Sequence, residues 1–278
     1  MLPAVLSLYI TSFCQLRCSH CFLNINNLLN ADVLDLADII AILDDAEKHH
    51  VFLMPISGGD PMLHPNFFEI VKNVLQRKIL PLLGITGLFI DHLAARKIKE
   101  SGVPCVQVSL DGYNEKTNSI FRGRGIFQEV IRSIQVLIQA GIKTNLAVCV
   151  NLKNISYVRD ILDLARDLGV YKVKVSFWQP SGTLEDQDTY RLTTQQQFDV
   201  ARLCSDYQKQ YDISHWITSP SSYLGKANPN NQASKLPPLV VYPSGDFTIS
   251  EFGPTIGNVG RGLPSYFYKR FLEKDKLQ

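Results

Sequence analysis

The chain has 278 residues, 45% of them hydrophobic and 19% charged, with 28 Lys and Arg against 26 Asp and Glu. That composition is globular rather than disordered or fibrous, and a chain of roughly 300 residues buries about 75% of its unfolded surface, enough to need no disulfide staples. The nearly balanced charge, without a basic stripe, argues against nucleic acid as a partner, and no apolar run approaches the roughly 20 residues that span a bilayer.

In chain order, the opening "MLPAVLSLYI" has no basic residue before Arg17 and no small-residue cleavage site, so it reads as a buried strand rather than a secretory signal. A cytoplasmic location is expected, where reduced thiols favour metal binding or catalysis over disulfides. Short apolar segments then alternate with amphipathic ones to about residue 211, the pattern of repeated βα units on a parallel sheet. The strands are "AVLSLYIT", "VFLMPIS", "ILPLLGIT", "PCVQVSLD", "KTNLAVCVN" and "YKVKVSFW". Helices are expected to begin near Ala31, Pro65, Phe89, Ile126, Asn154 and Thr194.

Four strands alternate aliphatic and polar residues, whereas a parallel strand covered on both faces reads as continuous aliphatic sequence. Leu6, Leu8 and Ile10 alternate with Ser7, Tyr9 and Thr11, and the fourth to sixth strands repeat the pattern around Ser109, Cys149 and Lys174. Six such strands, curled with the aliphatic face under the helices, form an incomplete barrel with a polar lumen; the alternative is an open α/β sheet with amphipathic edge strands. The expected fold is thus α/β, a partial (β/α)6 TIM-like barrel over residues 1–211. Residues 212–278 follow as an extension: a Ser, Asn and Pro-rich loop, a hairpin "LVVYP"–"SGD"–"FTIS", and a final helix around Ser265 to Lys274.

The densest chemistry lies in "FCQLRCSHCF", with Cys14, Cys18 and Cys21 on what reads as one tight loop after the first strand. Thiolates select zinc, copper(I) and iron–sulfur clusters. Structural zinc takes paired knuckles, and no second pair exists: Cys105 and Cys149 fall in strands and Cys204 in a helix. His20 is a conceivable fourth zinc ligand, although beside Cys21 its ring is expected to point away. A cubane held by three thiolates instead keeps one iron open for a substrate or cofactor, since such clusters usually take four.

C-x3-C-x2-C at the end of the first strand of a partial (β/α)6 barrel resembles the signature of the radical S-adenosylmethionine enzymes. The resemblance implies one [4Fe-4S] cluster held by Cys14, Cys18 and Cys21. Its open iron binds the amino and carboxylate groups of S-adenosylmethionine, and one electron yields a 5'-deoxyadenosyl radical that takes hydrogen from the substrate. It also implies an electron donor such as flavodoxin or ferredoxin. His20 stands where the family usually has an aromatic residue near the adenine.

"SGGDP", Ser57 to Pro61, resembles the family's Gly-Gly-Glu-Pro, implying that Ser57, Gly58, Gly59 and Asp60 meet the ammonium group; a plain strand-to-helix turn is the other reading. "VQVSLDG" followed by "RGRG" resembles the peptide- and protein-modifying branch, implying that Ser109 and Arg122 bind the methionine carboxylate. Asp111 is expected to hold a ribose hydroxyl or to cap a turn. Asn151 and Trp178 are expected to face the lumen near ribose or adenine, and Tyr9, Cys149 and Lys174 are further lumen candidates. The tail resembles the SPASM and twitch extensions without their auxiliary-cluster cysteines, with Leu239 and Ser250 near the expected places, so this one loop should carry all the iron.

The leading expectation is an enzyme acting on a ribosomally made precursor peptide by backbone excision, epimerisation or cross-linking. Because the chain opens directly at the first strand, recognition is expected from a separate small protein. A radical enzyme acting on a small molecule, and a non-catalytic iron–sulfur scaffold, are the alternatives.

Overall fold

The computed structural model describes residues 2–23, 32–180, 188–218, 236–251 and 253–275. Six strands expected from the alternation are present: β1 (Leu6–Thr11), β2 (Leu53–Gly58), β3 (Leu80–Ile85), β4 (Cys105–Ser109), β5 (Lys143–Val150) and β6 (Lys172–Phe177). Between them run α1 (Leu36–Lys48), α2 (Phe67–Gln76), α3 (His92–Glu100), α4 (Glu115–Arg122), α5 (Phe127–Gln139) and α6 (Val158–Asp167). Then come α7 (Thr194–Gln210), β7 (Ile217–Thr218), β8 (Leu239–Val241), β9 (Asp246–Ile249), β10 (Thr255–Asn258) and α8 (Pro264–Asp275).

The sheet is open and mostly parallel, in the order β10-β9-β8-β1-β2-β3-β4-β5-β6-β7, with only the β8-β9-β10 pairings antiparallel. Helices bury stripes at three- and four-residue spacing: Ile39, Ile42, Leu43 and Ala46 of α1, and Val130, Ile134 and Leu137 of α5. They cover the aliphatic face of the strands, where Leu6, Leu8, Ile56, Val106, Val108, Leu146 and Val173 are wholly buried. At about 1.5–3 kcal/mol for each fully buried aliphatic side chain, this layer supplies the main drive to fold. The other face of β4, β5 and β6 stays partly open, so the alternation read in the sequence separates core from lumen. Ser19 N donates to Phe121 O at 2.9 Å, so the loop after β1 meets α4 across the intervening strands, a contact favoured by a curled sheet.

Several boundaries differ from the sequence reading. The helix expected near Ala31 starts at Leu36, and Ala31 itself lies outside the described residues. The helix expected near Phe89 starts at His92, where Asp91 caps it by accepting from Ala94 N at 2.7 Å. A single 3-10 turn, Ile155–Tyr157, precedes α6, and β7, β10 and α4 were not anticipated. The α4 helix is set by a capping box in which Asn114 and Thr117 exchange side-chain-to-backbone bonds.

The first strand also departs from expectation. Its polar face is covered, because Tyr9 packs against the rings of Phe22 and Tyr242 at 5.4 and 5.5 Å. The C-terminal hairpin continues the sheet: β8 pairs in parallel with β1, Leu6 opposite Leu239 and Leu8 opposite Val241. Most of the polar loop expected before it lies outside the described residues. No described helix is long and apolar enough to cross a membrane.

Candidate active site

The loop after β1 is stitched to the loop after β2. Gly59 N donates to Thr11 O and Asp60 N to Phe13 O, both at 2.7 Å. A Cβ on Gly58 would stand 2.2 Å from Thr11 O, and one on Gly59 would stand 2.1 Å from Phe13 O. The close approach that these glycines permit is therefore to the backbone of the cysteine loop itself. Gly58 also has φ +146, a conformation that side chains disfavour. A register shift between Tyr9 and Thr11 re-aims the end of β1, and Arg17 Nη1 donates to the carbonyls of Cys14 and Leu16 at 2.9 Å.

All three loop thiols lie within electrostatic reach of one another. Burial pushes the Cys14 thiol up to about 12, and neighbouring Cys18 and Cys21 add to the rise. Cys18 is raised chiefly by burial, against the pull of the Arg122 guanidinium. His20 is not a fourth member of this set: its Nε2 lies 3.0 Å from Asp111 Oδ2 and its ring packs on Phe121 at 5.1 Å.

Asp111, at the exit of β4, is the anchor of the site. Its Oδ2 accepts from Arg122 Nε at 2.6 Å and from His20 Nε2, while Oδ1 accepts from Cys149 N at 2.8 Å. Asn118 Oδ1 accepts from Asp111 N, and Asn154 Nδ2 donates to the carbonyls of Asp111 and Cys149. Burial opposes a charge on Asp111, but the adjacent Arg122, with His20 and the Cys149 amide, holds it well below the usual carboxylate range. With its side chain wholly buried and both oxygens engaged, Asp111 is an internal anchor rather than an open ribose acceptor.

Arg122 closes the last turn of α4. Only Nε is engaged, so the terminal amino groups have no partner among the described residues, and neither does the half-buried Ser109 hydroxyl. Asp60 is placed differently from expectation. It is buried, Oδ1 accepts from Met62 N at 3.1 Å, and Oδ2 accepts from Thr86 Oγ1 and Thr86 N, tying the exit of β2 to that of β3. Ser57 Oγ donates to Gly84 O at 3.4 Å from the lumen face of β2. Asn151 is buried within a turn, its Oδ1 accepting from Lys153 N and its Nδ2 donating to Cys149 O. Trp178 is buried beside Tyr190, ring centroids 5.8 Å apart.

Three buried side-chain nitrogens in this region, His20 Nδ1, Asn118 Nδ2 and Trp178 Nε1, have no hydrogen-bond partner among the described residues. Asn118 and Asn154 were missed in the sequence; the only signal was their position shortly after the polar ends of β4 and β5.

An open, mostly parallel βα sheet with three neighbouring thiols and a carboxylate–guanidinium pair at the carboxyl ends of its strands belongs to the class that binds ligands at those ends. The family model described as the Radical SAM superfamily matches residues 8–165, more than half of the chain, and the chain belongs to that superfamily. It is 26% identical over 187 residues to an AdoMet-dependent heme synthase of Methanosarcina barkeri, covering 67% of this chain and 54% of the relative. It is 29% identical over 197 residues to the mycofactocin maturase MftC of Mycolicibacterium smegmatis, covering 70% and 50%. The match thus spans about half the length of these relatives. In fold it is similar to Streptococcus suis SuiB bound to S-adenosylmethionine, with TM-score 0.77, 16% identity and coverage of 94% of this chain and 64% of that one.

Members of the superfamily bind a [4Fe-4S] cluster and S-adenosylmethionine. The residues present fit both groups. Thiolates are the donor set of iron–sulfur clusters, and Cys14, Cys18 and Cys21 lie on one loop within electrostatic reach of one another. The unpartnered buried nitrogens of Asn118 and Trp178, which cost about 1–3 kcal/mol each when left unsatisfied, offer donors to a polar ligand, and the free ends of Arg122 suit a carboxylate.

Proposed function

We propose that this chain is a radical S-adenosylmethionine enzyme acting on a ribosomally made precursor peptide. The observation that carries the radical chemistry is the set of three mutually coupled thiols from which His20 is withdrawn by Asp111. In this reading Cys14, Cys18 and Cys21 would hold one iron–sulfur cluster through their thiolates. When bound, the cluster supplies one electron and S-adenosylmethionine supplies the hydrogen-abstracting 5'-deoxyadenosyl group. Ser109 and the terminal amino groups of Arg122 take the methionine carboxylate, and carbonyls of Gly58 and Gly59 accept from its ammonium. Trp178 and His20 line the nucleoside end. Asp60, Asp111 and Asn151 act by holding the three loops that carry these groups.

The peptide substrate is supported by the similarity to a maturase and by the likeness in fold to SuiB, which is also known bound to its precursor peptide SuiA. Residues 212–278 are read as a SPASM- or twitch-like extension that keeps the hairpin without auxiliary-cluster cysteines. Backbone excision, epimerisation and cross-linking are the candidate reactions, with a small recognition protein and a flavodoxin or ferredoxin as partners. The similarity to a heme synthase favours one second reading, a tetrapyrrole or other small-molecule substrate.

The test is anaerobic incubation of reduced, cluster-loaded protein with S-adenosylmethionine, following 5'-deoxyadenosine by chromatography. Formation is expected in the native protein and not in Cys18→Ala; its absence in both would leave an iron–sulfur scaffold. Mass spectrometry of added precursor peptides and of added porphyrins then separates the two substrate readings.

A further inference from the structure

Glu251 lies outside every motif read in the sequence. It follows Ser250, whose backbone is left-handed with φ 64. Three hydrogen bonds brace this exit from β9: Ser250 N to Pro238 O at 2.9 Å, Thr248 Oγ1 to Ser250 O at 2.8 Å, and Tyr242 Oη to Glu251 O at 2.6 Å. So directed, Glu251 Oε1 accepts a 2.7 Å bond from Tyr9 Oη on the concave face of β1. Burial, reinforced by Glu251, raises the Tyr9 hydroxyl well above its usual value, so it remains a donor at neutral pH. The charge of Glu251 also helps raise the thiol of Cys149 on β5, after burial and Asp111. The Tyr9 bond therefore holds the carboxylate against the concave face of β1.

Its situation differs from that of the carboxylates at the carboxyl ends of β2 and β4. Asp60 and Asp111 are buried with both oxygens engaged. Glu251 is exposed, accepts from one neutral donor through one oxygen, and forms no ion pair among the described residues. Lys174, on the lumen face of β6, likewise forms no ion pair among the described residues and so does not neutralise it. A carboxylate fixed by a neutral hydroxyl, with its second oxygen open, is built to receive a charge-assisted hydrogen bond.

We propose that Glu251 is a substrate-binding residue that receives an ammonium or guanidinium group of the substrate on the concave face of the sheet, with Tyr9 as its positioning residue. The inference rests on the peptide reading to the extent that this cation is a lysine or arginine side chain or a peptide amino terminus.

The experiment measures binding by titration calorimetry to cluster-loaded protein with S-adenosylmethionine. The probes are a capped alanine-rich peptide bearing one lysine, the same peptide with norleucine, and n-butylamine. On the native protein the lysine peptide is expected to bind about tenfold more tightly than the norleucine peptide, one charge-assisted bond's worth. Glu251→Gln is expected to erase that preference and Tyr9→Phe to reduce it, with thermal unfolding confirming that each variant is folded. Equal binding of the two peptides to native protein overturns the inference and leaves the peptide reading standing, as does a preference that survives in Glu251→Gln. Butylamine binding that Glu251→Gln abolishes, with neither peptide bound, sustains the inference and overturns the peptide reading. Absence of binding by all three probes overturns the inference, and should Glu251→Gln not fold, an unchanged preference in Tyr9→Phe does the same.

Discussion

Arg122 Nε lies 2.6 Å from Asp111 Oδ2, and this pair couples the end of α4 to the end of β4 while leaving the outer edge of the guanidinium open. Asp111 is wholly buried while the Arg122 side chain is 12% exposed, so the carboxylate is the half that would be stranded without its partner.

Asp111→Asn is expected to lower stability at pH 7 by about 3 kcal/mol, the scale for removing one partner of a buried pair. The carboxyl is depressed in the folded state, so its stabilisation is fully present above the ordinary unfolded value of about 3.9 and is lost as pH falls toward the folded value. Urea titrations should therefore show the gap between native and variant proteins at pH 7, narrowing below about pH 4. A gap independent of pH would contradict the ionised anchor.

Arg122→Lys retains a cation beside Asp111 but removes the planar pair of terminal amino groups. Affinity for S-adenosylmethionine is expected to fall about tenfold or more, with a smaller loss of stability than in Asp111→Asn. Calorimetric binding and chemical denaturation on the same samples measure the two effects separately.

Replacing Cys14, Cys18 or Cys21 with alanine is expected to abolish iron retention and the thiolate-to-iron absorption band after anaerobic reconstitution. Cys105→Ala is expected to leave both unchanged, because that thiol lies at the start of β4, away from the strand ends that carry the loop. Iron analysis per chain checks the contrast.

Gly59→Ala would press a methyl group onto Phe13 O and Ser12 O, backbone atoms that cannot swing aside. Stability should fall by about 2 kcal/mol, the scale of overpacking against atoms that cannot give way, and cluster loading should fall with it because the displaced loop carries Cys14. Denaturation curves and iron content report the two together.

Asp45 of α1 accepts from Ser265 N at 2.8 Å and from Ser265 Oγ at 2.7 Å, capping the start of α8. Asp45→Ala is expected to cost about 1–2 kcal/mol and to speed amide exchange in α8 more than in β4 or β5. Hydrogen-exchange mass spectrometry distinguishes this local release from global loosening.

Much of the fold was legible because its physics is periodic. Leu146, Val148 and Val150 alternate with Asn145, Ala147 and Cys149, and a two-residue period of this kind gives both the strand and its buried face. The α4 helix was not legible by that route: "NEKTNSIFR" is mostly polar, and its start is set by the reciprocal bonds of Asn114 and Thr117 rather than by an apolar stripe.

The sequence by itself determined the six βα steps, the three-cysteine loop and the strand ends where the polar residues gather, since local spacing alone decides these. Only the tertiary structure decided what each polar residue does there. It assigned Asp60 to Thr86, His20 to Asp111 and Tyr9 to Glu251, and it placed the C-terminal hairpin beside β1. Such pairings join residues up to 242 positions apart, and their strength comes from burial and direction in space, neither of which linear spacing encodes.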